Sequence, residues 1–366
     1  MSAEPGPPPA AAEDAVLLER GREAAALDAL VAAPVRGEGT AVLLEGVAGI
    51  GKSALLAYAR ARGRATGLRV LTARATELET SFAFGVVRQL LEPLLAGAAP
   101  EQRSALLAGP AVAAAAVLGS APDGGSQGAP APPAIGDFAA LNGLLWLVAN
   151  AAEERPLLLA VDDLHWCDPA SLRWLAFLLP RLAELRVALV AAVRSDEGGD
   201  SRSLLNQVAT DPALAVLRPR PLGPAATTEF LSRALSRDGI DPAFVRACYH
   251  ATAGNPLLLR ELARAVREQG LPADAAHAGY VVDLGPHAVA RLVELRLDRL
   301  GPRARRLAAA LAVLGDDAPL ADAAALAASS PAPRCTAWTR SAAPAPSATR
   351  WTRTGTARAG CGTSTR

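Results

Sequence analysis

The chain has 366 residues, is 51% hydrophobic and carries a formal net charge of +1 at pH 7, so it can bury one large core and one or two smaller ones. The near-neutral charge gives no support for a protein that binds nucleic acid or membrane surfaces by charge alone. Its four cysteines lack metal-ligand spacing and its apolar runs are too short to span a membrane, so we expect a cytoplasmic protein without a structural zinc site.

Up to residue 223 the pattern predicts alternating strands and helices. Residues 1–16, rich in Pro and Ala, predict a disordered leader, and residues 119–135, rich in Gly and Pro, predict a flexible insertion. Between them and beyond, the predicted strands are 40–45, 68–73, 157–161 and 187–193, and the predicted helices are 17–33, 53–62, 82–95, 141–151 and 171–185. Continuous apolar strands that alternate with helices are typical of a parallel sheet covered on both faces. We therefore expect residues 17–223 to form an α/β three-layer sandwich.

From residue 224 onwards the pattern changes to helices only, which predicts a second, all-helical region. Residues 329–366 then contain six Arg, no acidic residue and no Leu, Ile, Val or Phe, so they predict a disordered basic tail. Its repeated Trp-Thr-Arg is what a GC-rich Leu-Asp-Ala stretch gives when it is read one nucleotide out of frame. A frameshifted tail and a natural basic tail both remain open.

A glycine-rich loop lies between the first predicted strand and the helix that follows it. It begins at Gly46, reads Gly-Val-Ala-Gly-Ile-Gly-Lys-Ser and contains the only lysine of the chain, Lys52. Gly46, Gly49 and Gly51 allow backbone N–H groups to face phosphates, Lys52 can reach the β and γ phosphates, and the hydroxyl of Ser53 can bind Mg²⁺. The pattern predicts the nucleotide site of a P-loop NTPase.

Two acids end the buried strand 157–161 and would lie at the same sheet edge as the loop. We expect Asp162 to hold Mg²⁺ and Asp163 to act as the general base for the attacking water; the alternative is a solvated acidic strand end. Arg194 ends the next strand and could sense the γ-phosphate or stabilise developing charge, or could be a simple salt-bridged arginine. Packing is the favoured role for His165 and Trp166.

Five segments in this order resemble the ATPase module of large LuxR-type transcriptional regulators, which are signal-transduction ATPases related to AAA+ proteins. The segments are Leu18–Glu23, Gly46–Ser53, Phe82–Leu95, Val161–Ser171 and Ala253–Leu262. The resemblance covers roughly residues 17–328.

The resemblance implies roles that the residue pattern alone does not supply. Gly21 and Arg22 resemble a Gly-Arg-Glu motif that contacts the nucleotide, and Pro256 resembles the proline that lies near the adenine. The all-helical residues 224–285 would then be a lid, and residues 286–328 would begin a winged-helix segment. ATP and Mg²⁺ are the implied cofactors, and self-association is implied for the ATP state.

Complete regulators of this class continue through helical sensor repeats to a helix-turn-helix that reads DNA, and this chain has neither. We therefore expect a truncated module that binds ATP, hydrolyses it slowly as a conformational switch, and makes no direct contact with nucleic acid or membrane. Two alternatives stay open. One is an AAA+ motor or P-loop kinase that acts on a separate substrate, and the other is a non-functional remnant.

Overall fold

The computed structural model of the chain describes residues 17–119, 138–195, 202–237, 239–281, 297, 301–311, 313–314 and 319–329. Internal contacts divide the chain into two units, Met1–Val293 and Glu294–Arg366. The predicted leader, nearly all of the predicted insertion and nearly all of the predicted basic tail lie outside the described residues. The same holds for much of the predicted winged-helix segment. In the second unit, residues 301–311 are helical, as is Leu320–Ser329.

A five-stranded parallel sheet forms the centre of the first unit, which confirms the predicted α/β fold. The strands are β1 (Thr40–Gly46), β2 (Arg69–Arg74), β3 (Leu157–Asp162), β4 (Val187–Arg194) and β5 (Leu214–Leu217). Their order across the sheet is β2-β3-β4-β1-β5. Because all five run parallel, the carboxyl ends of β1, β2, β3 and β4 meet at one edge, where Gly46 lies opposite Arg194 and Arg74 lies opposite Asp162.

Helices cover both faces of this sheet, as continuous apolar strands require. Those of the first unit are α1 (Gly21–Ala32), α2 (Lys52–Ala65), α3 (Gly85–Ala96), α4 (Pro100–Leu106), α5 (Ala114–Leu118), α6 (Phe138–Glu154), α7 (Pro169–Leu178), α8 (Arg202–Ala209), α9 (Pro224–Leu235), α10 (Pro242–Thr252) and α11 (Pro256–Glu268). One face packs against α1 and α2, and the other packs against α3 and α5 to α8. Within the described residues no helix is both long and apolar enough to cross a membrane.

Several predicted helix boundaries were wrong, among them the start of α1, and a buried carboxylate explains the one at α3. Helix α3 begins at Gly85 rather than residue 82, because Phe84 adopts a left-handed conformation with φ of 61°. Asp168, which is 2% exposed, accepts hydrogen bonds from the Phe84 N–H at 2.8 Å and the Val86 N–H at 3.3 Å. It also caps α7 through the Ser171 N–H at 2.9 Å. The loop before α3 is thus fixed by a residue 84 positions away.

Another wrong boundary concerns α7, which ends at Leu178 and continues as a 3₁₀ helix over Leu179–Glu184. The apolar periodicity runs through both segments, so the sequence predicted one helix over 171–185. Pro180 lies in the first turn of the 3₁₀ segment. It has no N–H to donate and its ring crowds the preceding turn, so the regular α-helix does not pass this position.

A compact helical bundle follows the sheet. Helices α9, α10 and α11 share a core of their own, whose fully buried members include Phe244, Cys248 and Leu259. Each helix has Pro at its first turn, where the missing N–H costs nothing. The bundle is joined to the segment after β5 by the hydrogen bond from the Leu222 N–H to the Gly254 carbonyl, at 2.9 Å.

Candidate functional site

The loop between β1 and α2 has the backbone that its glycines predict. Gly49 and Gly51 adopt left-handed φ values of 78° and 105°, a region that residues with a Cβ rarely occupy. Gly51 is the residue before the first turn of α2, and Lys52 is the first helical residue. The N–H groups of a helix N-terminus favour an anion, so this arrangement is suited to phosphate.

The ammonium of Lys52 lies inside this loop. Its side chain is 7% exposed, and Nζ donates to the carbonyl oxygens of Gly46 at 2.6 Å and Val47 at 2.9 Å. These two bonds satisfy a charged group that burial would otherwise destabilise. The loop therefore holds its lysine at the position where a phosphate would replace the carbonyl contacts.

Ser53 and Asp162 are brought together by the P-loop and β3. The hydroxyl of Ser53 donates to Oδ2 of Asp162 at 3.0 Å, and Oδ1 of Asp162 accepts the Asp163 N–H at 2.9 Å. A hydroxyl and a carboxylate oxygen are hard ligands of the kind that Mg²⁺ prefers, and Mg²⁺ sites commonly use one or two carboxylates with substrate phosphates. The donor set fits a magnesium ion between these two side chains.

Asp163 occupies the centre of a charged cluster at the sheet edge. Its backbone is left-handed with φ of 52°, which turns the side chain away from the strand direction. Its Oδ2 accepts from Nε and Nη2 of Arg74, both at 3.2 Å. Its Oδ1 lies 3.9 Å from Nε of Arg194 and 3.9 Å from Nε2 of His165.

The strand order explains how this cluster forms. Arg74 ends β2, Asp162 ends β3 with Asp163 directly after it, and Arg194 ends β4, and these three strands are neighbours in the sheet. Arg194 also lies opposite Gly46 in the register of β4 and β1. Arg194 therefore stands between the P-loop and Asp163, within reach of a group bound at either one. His165, whose side chain is 3% exposed, packs against Trp166 with ring centroids 5.2 Å apart.

The N-terminus of α11 contacts the P-loop directly. Asn255 donates from Nδ2 to the Ala48 carbonyl at 3.0 Å, and the Leu257 N–H donates to the Gly49 carbonyl at 3.2 Å. Asn255 also caps α11 by accepting the Leu257 N–H at 3.0 Å. A Cβ atom built on Gly49 would lie only 2.6 Å from Cβ of Leu257. Sequence reasoning had singled out Pro256 and missed Asn255.

A cavity of about 360 Å³ lies between the P-loop and the helical bundle. Its lining includes Lys52, Ser53, Asp163, Arg194 and Pro256. The predicted phosphate residues, the predicted base and the predicted lid proline therefore share one space. Its volume is in the range of small-ligand pockets.

Arg20 lines this cavity, whereas Gly21 and Arg22 are exposed and do not. The Arg20 side chain is 5% exposed and donates from Nη2 to the Ile50 carbonyl at 3.0 Å. Burial lowers the pKa of its guanidinium, against the opposing effect of the nearby carboxylates of Glu23 and Glu19. The arginine that contacts the P-loop is thus Arg20, two positions before the Arg22 of the predicted motif.

Residues 16–190 match the AAA ATPase domain family. An uncharacterized protein of Rhizobium meliloti (strain 1021) is 28% identical over 328 residues; the alignment covers 82% of this chain and 30% of that protein. The chain thus spans less than a third of that relative's length. The solved structure of the Aeropyrum pernix Orc1 protein in complex with DNA aligns with a TM-score of 0.48 and 19% identity, over 86% of this chain and 77% of that one.

Proposed function

We propose that this chain, whose residues 16–190 match the AAA ATPase domain family, is an ATP-binding and slowly hydrolysing switch module of a LuxR-type transcriptional regulator. One observation carries the switch. The helix α11 is hydrogen-bonded to the phosphate loop through Asn255 and Leu257. A ligand that rearranges the loop must therefore act on the bundle as well, which is what a nucleotide-dependent switch requires.

The binding step rests on the P-loop. The N–H groups of the loop and of the first turn of α2 would bind the phosphates, and Lys52 would exchange its bonds to Gly46 and Val47 for bonds to the β and γ phosphates. Ser53 and Asp162 would hold Mg²⁺. When bound, this ion neutralises charge on the phosphate oxygens. Pro256 and Arg20, which both line the cavity, would enclose the rest of the nucleotide.

The hydrolytic step rests on Asp163 and the two arginines beside it. Asp163 would accept the proton of the attacking water, and Arg194 would stabilise negative charge on the γ-phosphate. Nε and Nη2 of Arg74 both donate hydrogen bonds to Oδ2 of Asp163. These two donors occupy the lone pairs of that oxygen, so a water can approach Asp163 only through Oδ1. This pairing supports slow rather than fast turnover.

The conformational step follows from the contact between the loop and the bundle. With ATP bound, α11 would stay on the loop, and the module would associate with further copies of itself. After hydrolysis the loop would relax and release α11. Sensor and DNA-binding segments of a longer protein, which the resemblance to LuxR-type regulators implies, would read the two states.

Calorimetric titration with Mg–ATP, followed by a phosphate-release assay without any added acceptor, tests this function. A competent site should also raise the unfolding free energy by about 2.7 kcal/mol at a hundredfold excess of ligand over its Kd. Binding with slow acceptor-independent phosphate release is the expected result. Release only when an acceptor is added would indicate a kinase instead, and failure to bind would indicate a silent module.

A further inference from the structure

A second cavity of about 610 Å³ adjoins the magnesium-binding pair, and Arg260 of α11 is part of its lining. It opens beside α2, above the carboxyl ends of β2 and β3. It shares Ser53, Ala54 and Arg260 with the nucleotide cavity but does not include Lys52 or Asp163. A ligand in this space would therefore touch the metal-binding hydroxyl without occupying the phosphate loop.

The cavity exists because one face of β2 is not covered by a helix. Thr72 and Arg74 are exposed while Leu71 and Ala73, which point the other way, are buried. The alternation of a strand puts both exposed residues on the α2 side of the sheet. Since β2 is the edge strand, α2 covers its neighbours and leaves this corner open.

The charge of the lining is positive. Arg60, Arg74 and Arg260 line the cavity with a single acid, Asp162. Arg74 is already paired with Asp163, but neither Arg60 nor Arg260 has an ion pair anywhere in the part of the chain that the structure describes. Two uncompensated guanidinium groups at one cavity favour an anionic ligand, since guanidinium forks match carboxylate and phosphate oxygens.

A buried donor points to the same conclusion. Nε of Arg60 is shielded from solvent and has no hydrogen-bond partner among the described residues. Buried polar atoms in native proteins are nearly always paired, so an unpaired one indicates a missing acceptor. The floor of the cavity is apolar, with Leu56, Ala57 and Ala160. Polar groups in small number around an apolar floor are typical of small-molecule sites of this volume.

We propose that this cavity is a second ligand site that binds a small organic anion, whose carboxylate or phosphate is held by Arg60 and Arg260 and whose apolar body lies against α2 and β3. The site would also regulate the proposed ATPase, an extension that rests on the proposed function. Arg74 lines the cavity and holds Asp163, and its side chain is 72% exposed. Its two donors occupy Oδ2 of Asp163. A bound anion competes for Arg74 and uncovers this oxygen for a water, so hydrolysis becomes faster.

The test uses the full chain saturated with Mg²⁺ and a β,γ-imido analogue of ATP, so that the phosphate loop is occupied. Phenyl phosphate, benzoate and neutral benzyl alcohol are titrated calorimetrically as probes. At least one of the two anions should bind one-to-one and the alcohol should not. Phenyl phosphate alone would indicate a phosphate ester as the natural ligand, and benzoate alone would indicate a carboxylic acid.

Two substitutions separate a built site from general charge attraction. Arg60→Gln should weaken binding of the anion about tenfold or more, because it removes a charge-assisted hydrogen bond, and should leave the affinity for the ATP analogue unchanged. Arg267→Gln is the matched control, since Arg267 is an exposed arginine on α11 that lines neither cavity. Equal loss in both variants, or no anion binding to the unaltered chain, would overturn the proposal.

The regulatory extension has its own readout. The anion that binds should increase the rate of phosphate release from ATP in the unaltered chain and have no effect on the rate in Arg60→Gln. If the anion binds through Arg60 without changing the rate, the second ligand site is supported but its regulatory role is refuted. If the chain failed to bind the ATP analogue but still bound the anion through Arg60, the proposed ATPase function would be wrong and the second site would stand.

Discussion

The sheet edge and the helical bundle contribute to the candidate site in different ways. At the edge, Arg74, Asp162 and Arg194 are the last residues of neighbouring strands, so the register of the parallel sheet fixes their positions. The bundle has a separate core and reaches the P-loop through the hydrogen bonds of Asn255 and Leu257. A hydrogen bond contributes about 1 kcal/mol net, so this contact can break while the sheet stays intact. We therefore propose that the sheet edge, the rigid region, carries out the chemistry and that the bundle of α9 to α11, the separable region, carries out the switching.

The largest expected effect comes from the P-loop. Lys52→Ala removes the ammonium that would bind two phosphates, and each charged hydrogen bond contributes about 1.5–3 kcal/mol. We expect ATP affinity to fall about a hundredfold or more in calorimetric titration, with the fold unchanged. Arg246→Ala, on an exposed face of α10, should bind ATP normally. Unaltered affinity of the Lys52 variant would refute the assignment of the site.

The next effect separates binding from chemistry within the rigid region. Asp163→Asn keeps the shape of the side chain but removes the proton acceptor, and loss of a general base costs about 10²–10⁴ in rate. Phosphate release should decrease by that factor while ATP affinity remains close to that of the unaltered chain. Unchanged turnover would exclude Asp163 as the base.

A third prediction addresses the separable region. Asn255→Ala removes both the bond to Ala48 and the cap of α11, and loss of such a cap costs about 1 kcal/mol. Hydrogen exchange of α11 should then become faster and lose its dependence on nucleotide, whereas turnover should change little.

Asp241→Ala is the matched control for this prediction, because Asp241 caps α10 in the same way without touching the P-loop. If both cap variants keep nucleotide-dependent exchange of α11, the contact between α11 and the loop does not transmit the switch. The comparison between a rigid and a separable region would then fail.

The smallest effect concerns a single ion pair. Arg74→Gln releases Asp163 from a partly exposed pair, and such pairs contribute about 0–1 kcal/mol. Phosphate release should increase by about a fewfold. Arg69→Gln, at the other end of β2 and paired with Glu154, should have no effect. A lower rate in the Arg74 variant would mean that this arginine assists the reaction instead of restraining it.

Local patterns predicted the sheet edge well, because each feature follows its own strand directly in the sequence. The glycine loop follows β1, and the two acids follow the apolar part of β3. The short edge strand β5, Leu214–Leu217, was missed since four residues with one buried side chain carry little periodicity. In the bundle, Pro224, Pro242 and Pro256 lie in the first turns of their helices, so each start carries a local signal in the sequence.

Residues whose roles depend on distant contacts were not predictable in this way. Arg74 meets an acid 89 positions away, Asn255 meets a carbonyl 207 positions away, and Arg20 meets one 30 positions away. For Arg74 a signal existed, because it ends a predicted strand next to the one that delivers the acids, as Arg194 does. For Asn255 and Arg20 the folded arrangement was needed.

Gly49 determines how closely the P-loop and the N-terminus of α11 can approach each other. A hydrogen atom is the only side chain that fits there, because a Cβ would lie 2.6 Å from that of Leu257 and 2.7 Å from Oδ1 of Asn255. A methyl group at this position would act as a wedge. Gly49→Ala would therefore hold the bundle away from the loop whatever nucleotide is bound, and would give a protein fixed in the state that we propose follows hydrolysis.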